Sequence, residues 1–161
     1  MKQGFTLIEI IAVLVLVSVL VLASTIALLP MAEGFLQMRR NVDASQKSHL
    51  AMSRIVREFT AITNVVSGGQ RTITYDSLDP AGSPYRRTLT WDGNAGSPLT
   101  LSGAPLSDDV RYFELRYYAS PEGAATTAWN ADTRLVEVIL GTLSGGETYT
   151  NRIVPRNLTR E

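Results

Sequence analysis

The sequence predicts an α+β protein: a long N-terminal helix, transmembrane in its first half and amphipathic in its second, packed on an antiparallel β-sheet head. Three observations lead there. No charged residue occurs from Ile10 to Ala32. From Phe35 to Ile62 apolar residues return at spacings of three and four, the period of a helix with one buried face. Beyond Ser67-Gly68-Gly69 the period changes to two, in short runs separated by Gly, Pro and Asp. A helical region followed by a run of strands is the α+β order. The expected boundaries are residues 5–32 for the spanning helix, 33–66 for the amphipathic helix and 67–161 for the β head.

A helix rising about 1.5 Å per residue needs roughly 20 apolar residues to cross a hydrocarbon core of about 30 Å. The run after Glu9 meets that length. It is longer than the apolar core of a secretory signal, and Leu29-Pro30-Met31-Ala32-Glu33-Gly34 offers no A-x-A-like cleavage site. The segment therefore reads as one retained membrane span. Lys2 is the only charge before Glu9, which puts the short N-terminus in the cytoplasm. Arg39, Arg40 and Lys47 oppose this weakly, because long domains translocate largely regardless of charge.

Pro30 and Gly34 bend or loosen the helix, and the pattern then resumes. Phe35, Met38, Val42, Met52, Ile55, Val56, Phe59 and Ile62 form its apolar stripe, with Ser45 and His49 as weaker members. Arg39, Arg40, Asp43, Lys47, Arg54, Arg57 and Glu58 fall mostly on the other face. One helix from about Phe5 to about Thr63 results, ended by Ser67-Gly68-Gly69. Strands follow at 71–75, at 87–91, briefly at Leu99 and Leu101, at 110–118, at 134–140 and at 149–154. In 110–118, Phe113, Leu115 and Tyr117 share one face, with Tyr112, Glu114 and Arg116 on the other. Residues 103–105 and 107–109 read as loops, and 119–132 as a long polar loop holding Trp129.

Composition narrows the function. Lys+Arg and Asp+Glu each number 15, so there is no basic excess for nucleic acid. The chain contains no cysteine, which excludes disulfides, thiolate nucleophiles and Cys-based zinc sites. His49 is the single histidine, and with no nucleophile beside it a partly buried helix position is the better reading than a general base. The serines at Ser67-Gly68, Ser102-Gly103 and Ser144-Gly145 lack the G-x-S-x-G elbow. Gly68-Gly69 is no phosphate loop, since no lysine follows in place. Asp76 with Asp79, and Asp108 with Asp109, offer oxygens to calcium but without an EF-hand register. Trp91, Trp129, Tyr112, Tyr117 and Tyr118 suit sheet core, sheet rim or a subunit contact. No catalytic set, cofactor or metal site is expected, and the chain does not read as an enzyme.

Glu9 is the unusual residue. A carboxylate at the front of an apolar span costs a few kcal/mol if it reaches hydrocarbon unpaired. Thr6-Leu7-Ile8-Glu9 also fits the S/T-x-x-E capping box, and Glu9 could simply favour the positive end of the helix. The residues alone leave both roles open.

Gly4-Phe5-Thr6-Leu7-Ile8-Glu9 followed by the long apolar run resembles the N-terminal signature of type IV pilins and the pseudopilins of type II secretion. The resemblance makes residues 1–4 a leader and implies that a prepilin peptidase cuts between Gly4 and Phe5, after which the Phe5 amine is methylated. It implies a pilin-like fold, other pilin or pseudopilin subunits as partners, and a head in the periplasm on an inner-membrane span that later becomes filament core. It gives Glu9 a partner, the Phe5 amine of a neighbouring subunit. The order Arg87–Gly93, Asp109–Tyr118, Trp129 and Leu135–Val138 is similar to minor subunits of the J/W-type group, which implies a role at the tip or in initiation. A membrane-anchored exported ligand-binding or sensor module is the alternative reading, and a membrane-tethered enzyme a third.

Overall fold

The computed structural model describes residues 6–78, 81–144 and 146–156, leaving aside the side chains of 26–29. One helix, α1 (Leu7–Thr60), precedes eight strands: β1 (Ile62–Gly68), β2 (Thr72–Leu78), β3 (Pro84–Thr90), β4 (Leu99–Leu101), β5 (Ala104–Ser107), β6 (Val110–Tyr118), β7 (Leu135–Thr142) and β8 (Thr148–Ile153). The chain divides into two compact units, Met1–Arg40 and Asn41–Glu161. The expected α+β class is the observed one.

The first unit is helical from Leu7. It contains an 18-residue window of mean hydropathy 2.9, none of it buried, and is long and apolar enough to cross a membrane. Three of its hydroxyls are satisfied within the helix. The Ser18, Ser24 and Thr25 hydroxyls donate to the carbonyls of Leu14, Leu20 and Val21 at 2.7, 2.8 and 2.9 Å. The helix runs unbroken through Pro30 and Gly34. A proline removes one ladder bond, and the flanking turns carry the helix across it.

In the second unit the helix supplies one wall of the core. Ala44, Ser48, Ala51, Met52, Ile55 and Phe59 are buried, while Val42 is exposed. Phe35 and Met38, in the first unit, are also exposed. The buried stripe thus begins later than expected, at Ala44, and it uses small residues where larger apolar ones were anticipated. His49 is exposed rather than partly buried, and its ring meets the Tyr149 ring edge-on at 4.8 Å.

The helix also ends earlier than Thr63, and residues 62–66 are strand rather than helix. Thr60, Ile62, Thr63, Val65 and Val66 are β-branched, which disfavours helix and suits a pleated surface. Ile62 fits both a helical stripe and an alternating strand, and pairing with β2 decides between them. The last helix carbonyls find partners at this point: the Ser77 hydroxyl donates to Ala61 at 3.0 Å and the Arg156 N–H to Thr60 at 3.2 Å. Ser67-Gly68-Gly69 therefore ends a strand, not the helix.

Two antiparallel sheets follow, one ordered β1-β2-β3-β4-β5 and one ordered β6-β7-β8. β5 occupies residues expected to be loop. Ser102 and Gly103 have φ of 50° and 83°, the positive values of a two-residue hairpin turn, so Leu101 pairs with Ala104. Pro105 is tolerated because β5 is an edge strand. β6 matches its expected bounds and faces, with Phe113, Leu115 and Tyr117 buried. Those residues join Met52, Ile55 and Phe59 of the helix and Ile73, Tyr75 and Leu89 of the first sheet in one core.

The loop after β6 ties the sheets together. The Trp129 N–H donates to the Gly68 carbonyl at 2.9 Å, the Tyr117 hydroxyl to the Gly69 carbonyl at 2.9 Å and the Leu115 N–H to the Gln70 carbonyl at 2.7 Å. The Tyr117 and Trp129 rings meet edge-on at 5.8 Å. Two buried carboxylates brace the head further. Glu58 accepts from Arg87 at 2.8 Å, Arg54 at 3.0 Å and the Tyr75 hydroxyl at 3.3 Å, joining α1 to β2 and β3. Burial, then the Glu58 charge, raises the Tyr75 hydroxyl far above its ordinary range. Glu137 accepts from Arg152 at 2.8 Å and from the Tyr118 hydroxyl at 2.7 Å. Burial works to raise the Glu137 carboxyl, but the Arg152 and Tyr118 bonds outweigh it and hold the group below the usual range.

These contacts set the stability of the detergent-solubilised protein in denaturant. Gly68→Ala would place its Cβ 2.7 Å from Trp129 Cβ and 2.9 Å from the Tyr117 hydroxyl, and should cost about 1–3 kcal/mol. Gly69→Ala, whose nearest neighbour lies at 3.9 Å, should stay within about 0.5 kcal/mol. Glu58→Gln should cost about 1–3 kcal/mol, below the full penalty for breaking a buried pair because Arg87 and Arg54 keep 28% and 38% exposure. Glu137, depressed when folded, contributes stability above the unfolded carboxyl range and loses it as pH falls through the folded value. The unfolding midpoint should drop on acidification below about pH 4, and Glu137→Gln should flatten that drop.

Candidate assembly site

The expected processing and assembly residues are Gly4, Phe5 and Glu9. Gly4 and Phe5 lie outside the described residues. Glu9 lies in the first turn of α1 and is exposed. Thr6 precedes the helix, and its carbonyl accepts from the Glu9 N–H at 3.1 Å and the Ile10 N–H at 3.3 Å. This is the register of a capping box, with Thr6 at the cap and Glu9 three residues on. A carboxylate there also favours the partial positive charge of the helix N-terminus.

Glu9 borders a shallow apolar depression shared with Ile10, Val13 and Leu14. Leu7 and Ile8 before it are 79% and 76% exposed. Among the described residues no cation lies within ion-pairing distance of Glu9. The arrangement is one acceptor on an apolar helix face, suited to taking a cation from another chain and holding no second group for proton transfer.

The other sequence candidates are accounted for within the head. Asp76 is bound by Arg86 at 2.8 Å and Asn64 at 3.3 Å, while Asp79 lies outside the described residues. Asp108 pairs with Lys47 at 2.9 Å, and Asp109 accepts from the Ser144 hydroxyl at 2.7 Å. The Arg86 bond holds Asp76, and the Lys47 bond holds Asp108, below the ordinary carboxylate range. These aspartates join strands and turns, and among the described residues no cluster of three or more metal-ligating side chains forms. Trp91 is buried and its indole N–H donates to the Ser97 carbonyl at 3.2 Å. The Tyr112 hydroxyl shares a hydrogen bond with Thr148 at 2.6 Å. Tyr149 bonds both Glu147 and Ser45.

Sequence reasoning missed Glu58 and Glu137 as buried groups. Each carried a signal. Glu58 follows Arg54 by one helical turn beside Ile55 and Phe59, and Glu137 interrupts Leu135-Val136-Glu137-Val138 in a fully apolar strand.

Residues 1–25 match the protein family described as the prokaryotic N-terminal methylation motif. No curated protein and no solved structure matches the chain. Proteins with this motif are processed, and the family is structural rather than catalytic. Together with the apolar helix it fits a single-pass membrane-anchored protein. The chain carries, at residues 1–25, the signature of type IV pilins and pseudopilins, ahead of a helix and antiparallel sheets of pilin-like architecture.

Proposed function

We propose that this protein is a structural subunit of a type IV pilus or a type II secretion pseudopilus. Prepilin peptidase cuts between Gly4 and Phe5 on the cytoplasmic side of the inner membrane, and the new Phe5 amine is methylated. The head lies in the periplasm on the single span until the subunit joins a filament of other pilin or pseudopilin subunits. The observation that carries this reading is the methylation motif at residues 1–25, together with a helix that has no charge from Ile10 to Ala32 and an unburied 18-residue apolar window. The narrower role, a minor subunit at the tip or in initiation, rests on the similarity to the J/W-type group.

In the bilayer an ionised carboxylate near the helix centre costs about 2.5–3.5 kcal/mol on insertion scales, and less near the interface. In the filament, the Phe5 amine of the adjacent subunit offsets that cost. Apolar helices around the pair lower the local dielectric and strengthen the attraction. The arriving subunit is thereby set in register.

Glu9→Ala and Glu9→Leu should insert into the membrane at normal levels, while the amount in sheared filaments falls about tenfold or more, because the neighbouring amine is left unpaired in an apolar site. Immunoblots of membrane and sheared fractions measure both quantities. Co-assembly of either variant at the normal level would overturn the proposal.

A further inference from the structure

The helix of the first unit carries a feature that neither the span nor the Glu9 pair uses. Arg39 and Arg40 follow the charge-free run on its outer side, where the positive-inside rule disfavours them. Both are exposed, and among the described residues neither lies within ion-pairing distance of a carboxylate. Met31, Phe35, Leu36 and Met38, just before them, are exposed as well. Apolar surface thus continues past Glu33 and stops at the two arginines. Leu36 lies one turn before both, three residues from Arg39 and four from Arg40. Helical side chains lean toward the N-terminus, so a long side chain at 39 or 40 leans back over Leu36, toward the span.

Length places this segment. From Ile10 to Ala32 the helix rises about 34 Å, slightly more than a hydrocarbon core of about 30 Å. Arg39 stands 30 residues after Glu9, about 45 Å along the axis, against about 40–45 Å for a bilayer with its headgroups. With Glu9 at one headgroup layer, Arg39 and Arg40 fall at the other, within a side chain's reach of its phosphates. Arginine suits that boundary, because its methylenes cover apolar surface while its guanidinium binds a phosphate through two parallel N–H bonds. We propose that Arg39 and Arg40 dock on the phosphates of anionic phospholipids in the outer leaflet, with Phe35, Leu36 and Met38 at the acyl boundary below them. The contact fixes the depth of the helix. It keeps Glu9 at the opposite headgroup layer, out of hydrocarbon, until a neighbouring subunit takes it up. The proposal rests on the single-span reading and does not depend on which filament the subunit joins.

The absence of cysteine allows a single reporter. Ala32 is exposed and lies seven residues before Arg39, on nearly the same face, so Ala32→Cys in the full-length chain carries a fluorophore just below the arginines. The labelled chain is reconstituted into vesicles of phosphatidylcholine with a minor fraction of phosphatidylglycerol. Both leaflets have the same composition, so the orientation of the chain is immaterial. In parallel samples one lipid or the other carries bromine on its acyl chain, at equal mole fraction of brominated lipid. Quenching should report an association with phosphatidylglycerol about two- to five-fold above that with phosphatidylcholine. The upper figure is the worth of one basic residue at an anionic surface, because Glu33 and Asp43 flank the pair and offset part of it. Arg39→Gln with Arg40→Gln should bring the two lipids level, and Arg39→Lys with Arg40→Lys should retain a preference for phosphatidylglycerol. Equal quenching by both lipids in the chain with both arginines, or a preference that survives the glutamine pair, overturns the phosphate contact and leaves the span standing. No quenching by either lipid overturns the span reading as well.

Discussion

A carboxylate at the front of an apolar run without charge is the constraint on which the proposed assembly depends. Glu9 stands in the first turn of α1 with apolar side chains around it and no cation in reach among the described residues. The 18-residue window that follows has none of its surface buried. Lipid can cover the apolar side chains, and so can other helices; under the proposed function the Phe5 amine of a neighbouring chain brings Glu9 its charge. The Ser18, Ser24 and Thr25 hydroxyls are satisfied within the helix, so they place no demand on either surrounding. Glu9 alone distinguishes the two.

The same helix builds the head. From Ala44 to Phe59 one face is buried in the core that both sheets share. No disulfide is available to close this fold. Its place is taken by apolar packing and by two carboxylates drawn inward and matched by arginines and tyrosines. Glu58 binds the helix to β2 and β3, and Glu137 binds β7 to β6 and β8. Such groups are costly if left unpaired, so they favour the one arrangement in which every partner is in place. The loop holding Trp129 does the corresponding work between the sheets, and it depends on Gly68 having no side chain.

Much of this was legible from residues alone, for identifiable reasons. β6 was readable because apolar and polar residues alternate from Tyr112 to Tyr117, and Phe113, Leu115 and Tyr117 are buried in step with that alternation. The N-terminal motif was readable because its spacing and its charge-free continuation occur together. β1 was not, because Ile62-Thr63-Asn64-Val65 satisfies helical and alternating periods alike until β2 supplies hydrogen bonds. β5 was hidden by Ala104-Pro105, which reads as a turn unless the Ser102-Gly103 hairpin is recognised first. Glu58 was placed by its charge on the polar face of the helix, and nothing singled out Glu137. Their burial depends on arginines distant in sequence, Arg87 from Glu58 and Arg152 from Glu137, and single-chain periodicity carries no such information. Val42 was placed in the buried stripe by its spacing, but the core starts only at Ala44, so its exposure is a tertiary fact.

In the proposed filament Glu9 is matched by an amine that exists only after a cut at Gly4. The most direct measurement is the intact mass of the chain recovered from sheared filaments, with fragmentation to read its first residues. The expected result is a chain that begins at Phe5, carries one added methyl group on that amine and retains Glu9 unmodified. A filament-borne chain that still begins at Met1 would contradict it, because Glu9 would then be assembled with no Phe5 amine to meet.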